Sequence, residues 1–300
     1  MRNIEVYEVG PRDGFQNVKK YIPMEKKIQI IDGLVTAGLE HIQITSFVSP
    51  KAIPQMKDAR ELAEICVKRH SEADFFALVP NLRGAETAWE SGIKKVSYVV
   101  SLSESHNLAN IRRSHEESFA ELQKIVKEYS HLDICLDLST TFGCPFEGEK
   151  NEQDVLNFLK PYVDSGIKTV NLCDTIGIAN PAQVRKTIKA VSDEYPSLDL
   201  QIHIHDTRNM GMVNTLAAIE LGVCKVQSTL GGLGGCPYAP GASGNLATED
   251  LVFMLSEMGY DMNIDIPKLI ELAKYQAKAI PEGKFSGHLH TIQESRVVCL

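Results

Sequence analysis

Short runs rich in β-branched residues alternate with helical hydrophobic periods along the whole chain of 300 residues. Each run is short enough for a buried strand, and the stretches between them have the periodicity of amphipathic helices. Eight strand and helix units can be counted, which is the number that closes a parallel barrel. The predicted strands span residues 4–9, 41–45, 74–79, 95–100, 132–138, 169–173, 198–205 and 225–229. Predicted helices span, for example, residues 24–37, 58–69, 116–129, 153–165 and 181–194.

Glycines near the ends of the predicted helices support this assignment. Gly38, Gly92, Gly166 and Gly222 each stand between a helix and the next strand, where glycine commonly ends a helix. The predicted fold class is therefore α/β, a TIM (β/α)8 barrel with a C-terminal helical extension. A doubly wound open sheet is the alternative, but residues 10–14 lack the glycine spacing of a phosphate-binding turn.

The eight units end well before the chain does. We therefore expect a catalytic barrel domain over residues 1–262. Residues 263–300 fall outside the barrel count and are predicted to form a helical extension packed on the barrel or in contact with another subunit.

Composition and charge narrow the class of protein. The net charge is −8, and Lys and Arg are scattered through helical stretches, which argues against a nucleic-acid partner. No apolar run reaches transmembrane length, and no leader precedes the first strand, so a cytoplasmic protein without membrane contact is expected. The seven cysteines form no C-x-x-C pair, which indicates a reducing compartment.

Two histidines at the end of the seventh predicted strand are the most informative chemical feature. His203 and His205 are two residues apart, so their side chains share one face of the strand. Such a pair can hold one metal ion when oxygen ligands converge on it. Taken alone, the pair is also typical of one buried, hydrogen-bonded histidine and one surface histidine.

Other polar residues follow the ends of other predicted strands. Arg12 and Asp13 follow the first strand, Asp174 follows the sixth, and Cys236 and Asn245 lie on a glycine-rich loop after the eighth. The carboxyl ends of barrel strands share one face, so these residues are expected to converge there. Each also has a structural alternative: a surface ion pair for an arginine, a turn or helix cap for an aspartate, and a small apolar role for a cysteine.

Several motifs together resemble the 3-hydroxy-3-methylglutaryl-CoA lyase family, within a larger group of metal-dependent barrel lyases and synthases. The motifs are Gly-Pro-Arg-Asp-Gly at 10–14, Thr-Ser-Phe-Val-Ser-Pro-Lys at 45–51, Asp-Thr-Ile-Gly at 174–177, His-Ile-His-Asp-Thr at 203–207 and Gly-Gly-Cys-Pro-Tyr-Ala at 234–239. The resemblance implies a TIM barrel, a divalent Mg or Mn ion and an acyl-CoA substrate. It also implies carbon–carbon cleavage of a 3-hydroxyacyl-CoA to an acetyl-CoA-type product and a ketoacid, carried out by a homodimer.

The same resemblance assigns roles to individual residues. The implied metal ligands are Asp13, His203, His205 and Asn245. The implied catalytic residues are Arg12, which would hold the enolate, Cys236, which would protonate it, and Asp174 and His203, which would handle protons. The implied substrate or cofactor contacts are Arg12, Gln43, Ser105 and Asn107. For Gln43 a purely structural role is equally compatible, and residues 105–107 are also typical of an ordinary loop.

The sequence departs from the family pattern at polar positions. Gln43 stands where the family usually has glutamate, and Gln227 where it more often has aspartate, while Arg208 and Asn209 follow the Asp-Thr pair at 206–207. A lyase for a related acyl-CoA is therefore an alternative, as is an inactive barrel. A condensing transferase that joins an acyl-CoA to a 2-oxoacid is a further alternative, although such synthases generally carry long C-terminal regions.

Overall fold

The computed structural model describes residues 3–235 and 244–292. In chain order the strands of this part are β1 (Glu5–Glu8), β2 (His41–Ser46), β3 (Asp74–Leu78), β4 (Lys95–Ser101), β5 (Asp133–Ser139), β6 (Gly143–Cys144), β7 (Gly148–Glu149), β8 (Thr169–Asp174), β9 (Asp199–Ile204) and β10 (Lys225–Ser228). All except β6 and β7 pair in parallel and form one closed barrel. The predicted barrel is confirmed.

Helices cover the outside of this barrel. They are α1 (Met24–Thr36), α2 (Ala59–Arg69), α3 (Leu82–Glu90), α4 (Glu104–Ile111), α5 (His115–Glu128), α6 (Glu152–Asp164), α7 (Pro181–Glu194), α8 (Gly211–Glu220), α9 (Thr248–Glu257) and α10 (Ile266–Ala279). No helix in the described ranges is long and apolar enough to cross a membrane.

The predicted strands agree with the observed ones to within a residue or two at each end. The largest local difference is His205, which was predicted to end a strand and instead forms an isolated backbone bridge with Asn245. The antiparallel pair of β6 and β7 was not predicted, because strands of two residues are too short to show an alternating pattern. Residues 105–107 lie in α4 and are not part of a loop.

Successive residues of each barrel strand lie in two different environments, the layer between strands and helices and the interior of the barrel. Apolar residues such as Ile42, Val96 and Leu136 belong to one large buried cluster with the helices. The polar residues between them, such as Gln43 and Asp137, are buried as well. Because successive strand residues point to opposite faces, these polar side chains fill the interior of the barrel.

The described part of the predicted C-terminal extension contacts the barrel through α10. Lys26 in α1 donates a hydrogen bond to the carbonyl of Ala279 at 2.9 Å, and Gln276 donates to the carbonyl of Leu230 at 2.8 Å. The division of the chain at residue 262 stays a prediction.

Two glycines that end helices test how tightly the C-terminal segment packs. Gly38 and Gly166 both have φ of 96°, so alanine at either position costs about 1–2 kcal/mol of backbone strain. A Cβ atom at Gly38 would also overlap the carbonyl oxygen of Asn263, whereas a Cβ at Gly166 would meet nothing within 4 Å. We expect Gly38→Ala to lower the free energy of unfolding by at least about 1 kcal/mol more than Gly166→Ala, measured by urea denaturation. Equal losses would contradict this packing.

Candidate active site

Arg12 and Asp13 are presented by an unusual turn after β1. Residues Gly10–Gly14 form one turn of π-helix, closed by a hydrogen bond from the backbone N–H of Phe15 to the carbonyl of Gly10. Such turns are rare and often mark functional sites. Both side chains are largely buried at the mouth of the barrel.

His203 in β9 and His205, the residue directly after this strand, lie close to Asp13. Their Nε2 atoms lie 3.1 Å apart, and both rings are buried. The Nδ1 atom of His203 lies 3.1 Å from Oε1 of Gln227. Because an amide oxygen only accepts, Nδ1 carries the proton, and the lone pair on Nε2 faces the site.

Asn245 joins the glycine-rich loop to this cluster. Its Nδ2 atom donates to Oδ2 of Asp13 at 2.7 Å, and its backbone bridges to His205. The carboxylate of Asp13 also accepts from Gln16 at 2.9 Å. Asp13 is thereby fixed by side chains from two parts of the chain, the turn after β1 and the segment after the glycine-rich loop.

Electrostatics keep the two rings neutral and the carboxylate charged. Burial lowers the pKa of His205 to about 4 and lowers the pKa of His203 as well. For Asp13 burial alone would raise the pKa, but the positive charge of the Arg12 guanidinium and the hydrogen bond from Asn245 outweigh this effect and lower it. Neutral imidazoles and an ionised carboxylate are the forms that bind metal ions.

The donor set fits a divalent metal ion. One ligand atom from each of Asp13, His203 and His205 can be chosen so that all lie within 4.8 Å of one another. In the described part of the chain, Oδ1 of Asn245 and Nδ1 of His205 are buried without a hydrogen-bond partner. Buried polar atoms are rarely unpaired without a reason, and an ion would account for the asparagine oxygen.

Arg12 lies between the carboxylate and the interior of the barrel. Its Nη1 atom donates to Oδ1 of Asp13 at 2.6 Å, and its Nε atom donates to Oε1 of Gln43 at 2.5 Å. Gln43 therefore contacts Arg12 as a neutral acceptor, in the position where a carboxylate would form an ion pair. The Nη2 atom has no acceptor among the described residues.

These side chains open into a cavity of about 230 Å³. Four of the residues predicted from sequence line it, namely Arg12, Asp13, His203 and His205. His106, from the segment 105–107 that the sequence pointed to, also lines it, and its other polar walls come from residues that sequence reasoning did not select, among them Gln16, Asp137, Ser139, Asn171 and Thr175.

Five predicted site residues are not part of the cavity wall: Gln43 and Asn245, which contact Arg12 and Asp13 behind it, and Asp174, Ser105 and Asn107. The carboxylate of Asp174 accepts backbone N–H groups of Ile178 and Ala179, each at 3.0 Å, as the turn alternative predicted. Ser105 is exposed on α4, and Asn107 is fully buried. Asn107 bonds to the backbone of Ser101 and to neighbouring side chains and carbonyls. Cys236, the predicted proton donor, lies outside the described residues.

Asp137 and Asn171 are the most informative residues that were missed. They are paired in register on β5 and β8, and Asn171 donates to Oδ1 of Asp137 at 2.9 Å. Burial raises the pKa of Asp137. The signal available in the sequence was an ionisable residue inside an apolar strand. If the apolar neighbours of this residue face the helices, its own side chain must face the barrel interior.

A closed parallel barrel that gathers a carboxylate and two imidazoles at the carboxyl ends of its strands has the architecture of a TIM-barrel enzyme. The family model described as HMGL-like matches residues 3–275. The chain belongs to this HMGL-like family.

Individual relatives agree with this assignment. Hydroxymethylglutaryl-CoA lyase YngG of Bacillus subtilis is 41% identical over 296 residues, covering 98% of this chain and 99% of that protein. Human mitochondrial hydroxymethylglutaryl-CoA lyase is 40% identical over 281 residues, covering 93% and 86%. The structure of an HMG-CoA lyase from A. baumannii in complex with coenzyme A and 3-methylmalate is 40% identical with a TM-score of 0.91, covering 98% of this chain and 96% of that one.

The buried His106 in the cavity wall predicts a pH dependence of stability. Burial lowers the pKa of His106 to about 4, below the value near 6.5 of an unfolded chain. The unfolded state therefore binds more protons between these values, and the free energy of unfolding should fall as the pH decreases through this window. We expect the free energy of unfolding to fall less steeply with decreasing pH in His106→Gln than in the native protein. Urea denaturation from about pH 7 to about pH 5 measures this slope.

The matched control is His131→Gln, which removes an exposed imidazole and should leave the native slope unchanged. Identical slopes for the native protein and His106→Gln would contradict the role assigned to burial.

Proposed function

We propose that this protein is a divalent-metal-dependent lyase that cleaves a carbon–carbon bond of 3-hydroxy-3-methylglutaryl-CoA (HMG-CoA) to acetyl-CoA and the ketoacid acetoacetate. The observation that carries the proposal is the meeting of Asp13, His203 and His205 in one cavity beside Arg12. Membership of the HMGL-like family, with relatives named HMG-CoA lyases, supports the reaction. The bound coenzyme A and 3-methylmalate of the A. baumannii enzyme support an acyl-CoA substrate.

Asp13, His203, His205 and Asn245 are the proposed ligands of a Mg or Mn ion. A bound divalent ion would supply a Lewis acid that favours loss of the proton from the substrate's C3 hydroxyl. Asp13 and the amide oxygen of Asn245 are hard ligands, whereas the two imidazoles suit a softer ion, so Mn should bind more tightly than Mg.

The protein's own side chains account for the remaining chemistry. After the C3 hydroxyl loses its proton, the C2–C3 bond breaks, and its electron pair passes to the thioester as an enolate. Arg12 lines the cavity, and its Nη2 donor has no acceptor among the described residues, which suits it to hold the developing negative charge. Cys236 is the proposed acid that returns a proton to C2 and completes acetyl-CoA.

Asp174 and His203 are the proposed proton-handling neighbours. Burial raises the pKa of Asp174 to about 6, so this carboxyl can gain or lose a proton near neutral pH. His203 is held neutral and oriented by Gln227.

Contacts with the CoA portion are proposed on the side of α4. Ser105 is exposed there and is accessible to a ligand at the barrel mouth. Asn107 is buried, so its contribution would be to hold α4 through its hydrogen bonds to Ser101 and Ser118. The expected homodimer stays a prediction, which light scattering of the purified protein will test.

Loss of one imidazole should remove most of the metal affinity. We expect His205→Gln to weaken Mn binding by at least about tenfold, measured by titration calorimetry after dialysis against chelator. His70→Gln is the control, because His70 bonds to Asp32 on the surface, away from the cavity. Unchanged Mn affinity in His205→Gln would contradict the proposed ligand set.

Activity is tested by acetyl-CoA release from HMG-CoA in the presence of Mn or Mg. We expect turnover by the native protein, and a loss in kcat of about 10²–10⁴-fold in Cys236→Ala with little change in KM. Cys224→Ala is the control, since Cys224 precedes β10 at the opposite end of the barrel. Absence of turnover by the metal-loaded native protein would contradict HMG-CoA as the substrate. Full activity of Cys236→Ala would contradict Cys236 as the proton donor.

A further inference from the structure

The segment that follows α10 contacts the glycine-rich loop where this loop begins, at residues 230–233, which we call the first stem. The backbone N–H groups of Ser286 and Gly287 donate hydrogen bonds to the carbonyl of Gly231 at 3.1 and 2.9 Å. The hydroxyl of Ser286 donates to the carbonyl of Gly232, the next residue, at 3.1 Å. The position of the first stem is therefore set by residues from a distant part of the sequence.

Gly232 permits this close approach. Its φ of 64° lies in the left-handed region that favours glycine. A Cβ atom at Gly232 would overlap Oγ of Ser286 and would lie 3.2 Å from the carbonyl oxygen of Asn245. The backbone of the first stem, the hydroxyl of Ser286 and the backbone of Asn245 therefore meet at one point.

The hydroxyl of Ser286 also reaches the other side of the loop, residues 244–246, which we call the second stem. It donates to the backbone carbonyl of Asn245 at 3.3 Å. A serine has a single hydroxyl proton, so the carbonyls of Gly232 and Asn245 share it in a three-centre hydrogen bond. One side chain thus joins the two stems.

The side-chain amide of Asn245 depends on the relative position of the two stems. Its Nδ2 atom carries two protons and donates to Oδ2 of Asp13 at 2.7 Å and to the carbonyl of Leu233 in the first stem at 3.4 Å. These two contacts fix the plane of the amide. Its Oδ1 atom, which accepts no hydrogen bond from any described residue, is thereby left for a metal ion.

We propose that Ser286 is a positioning residue for Asn245. This inference rests on the proposed function, in which the amide oxygen of Asn245 is a ligand of Mg or Mn. The shared hydroxyl proton holds the carbonyl of Asn245 against that of Gly232, and Leu233 directly follows Gly232. Loss of the hydroxyl uncouples the stems, so the Leu233 carbonyl and the Asn245 amide move relative to each other and Oδ1 loses its fixed orientation.

The first test measures Mn affinity by titration calorimetry in a double-mutant cycle. We expect Ser286→Ala to weaken Mn binding at least about threefold, since groups that hydrogen-bond to a metal ligand typically contribute a factor of about ten or more. In an Asn245→Ala background the same substitution should have no further effect, because the residue through which Ser286 acts is gone. A smaller loss in the single variant, or an equal loss in both backgrounds, would overturn the proposal.

Ser165→Ala is the matched control for this cycle. Ser165 is half-buried like Ser286, and its hydroxyl also donates to a backbone carbonyl, that of Tyr162 in α6, at 2.7 Å. This variant should bind Mn as the native protein does. If the native protein itself binds no Mn, the proposed ligand set fails, and the metal-free measurement that follows decides the inference about Ser286.

Amide hydrogen exchange needs neither metal nor substrate. The backbone N–H of Thr229 donates to the carbonyl of Leu246 at 2.9 Å, and that of Asp206 donates to the carbonyl of Gly244 at 3.0 Å. These two amides therefore report on the residues directly before and after Asn245 in the second stem. In Ser286→Ala we expect both to exchange at least about threefold faster than in the native protein.

The amide of Val170 distinguishes positioning from a general loss of stability. Val170 is fully buried in β8, in the middle of the barrel ladder, and its exchange rate should not change in Ser286→Ala. An equal increase at Val170, Thr229 and Asp206 would show that Ser286 only stabilises the whole fold. That result, or unchanged exchange at Thr229 and Asp206, would overturn the proposal.

Discussion

The buried carboxylate of Asp13 is the interaction on which the rest of the site depends. It accepts hydrogen bonds from Arg12, Gln16 and Asn245 and lies beside the imidazoles of His203 and His205. These partners come from the turn after β1 and from the segment that follows the glycine-rich loop. A buried charge in this position is tolerated only because several hydrogen-bond donors converge on it. Because these donors come from both ends of the barrel sequence, the Asp13 carboxylate links the two ends.

Much of the site was predictable because of where its residues stand in the strand pattern. Arg12, Asp13 and His203 lie at the carboxyl ends of strands that the apolar pattern reveals, and barrel closure alone brings such ends together. Asp174 and Asn107 were harder to interpret. Their side chains satisfy nearby backbone and side-chain groups, and local hydrogen bonding of this kind leaves no distinctive mark in the sequence.

The interior of the barrel was the part that sequence reasoning missed. Ser97, Asp137 and Asn171 each lie within a strand of mainly apolar residues, and in the sequence alone each is a single polar interruption of that pattern. Only the register of neighbouring strands, which pairs Asp137 with Asn171, shows that they face one another. Register depends on how the barrel closes, which no single strand encodes.

The neutral side chain at position 43 changes how the charge of Arg12 is balanced. A carboxylate there would touch the guanidinium directly and neutralise it, whereas Gln43 transmits only a hydrogen bond. Among the described residues, Asp13 at Nη1 is the one carboxylate in hydrogen-bond contact with the guanidinium. With a single carboxylate in contact instead of two, Arg12 keeps more of its positive charge for an anionic intermediate. Its orientation then depends on the hydrogen bond that its Nε donates to the neutral oxygen of Gln43, because no ion pair at position 43 can supply it.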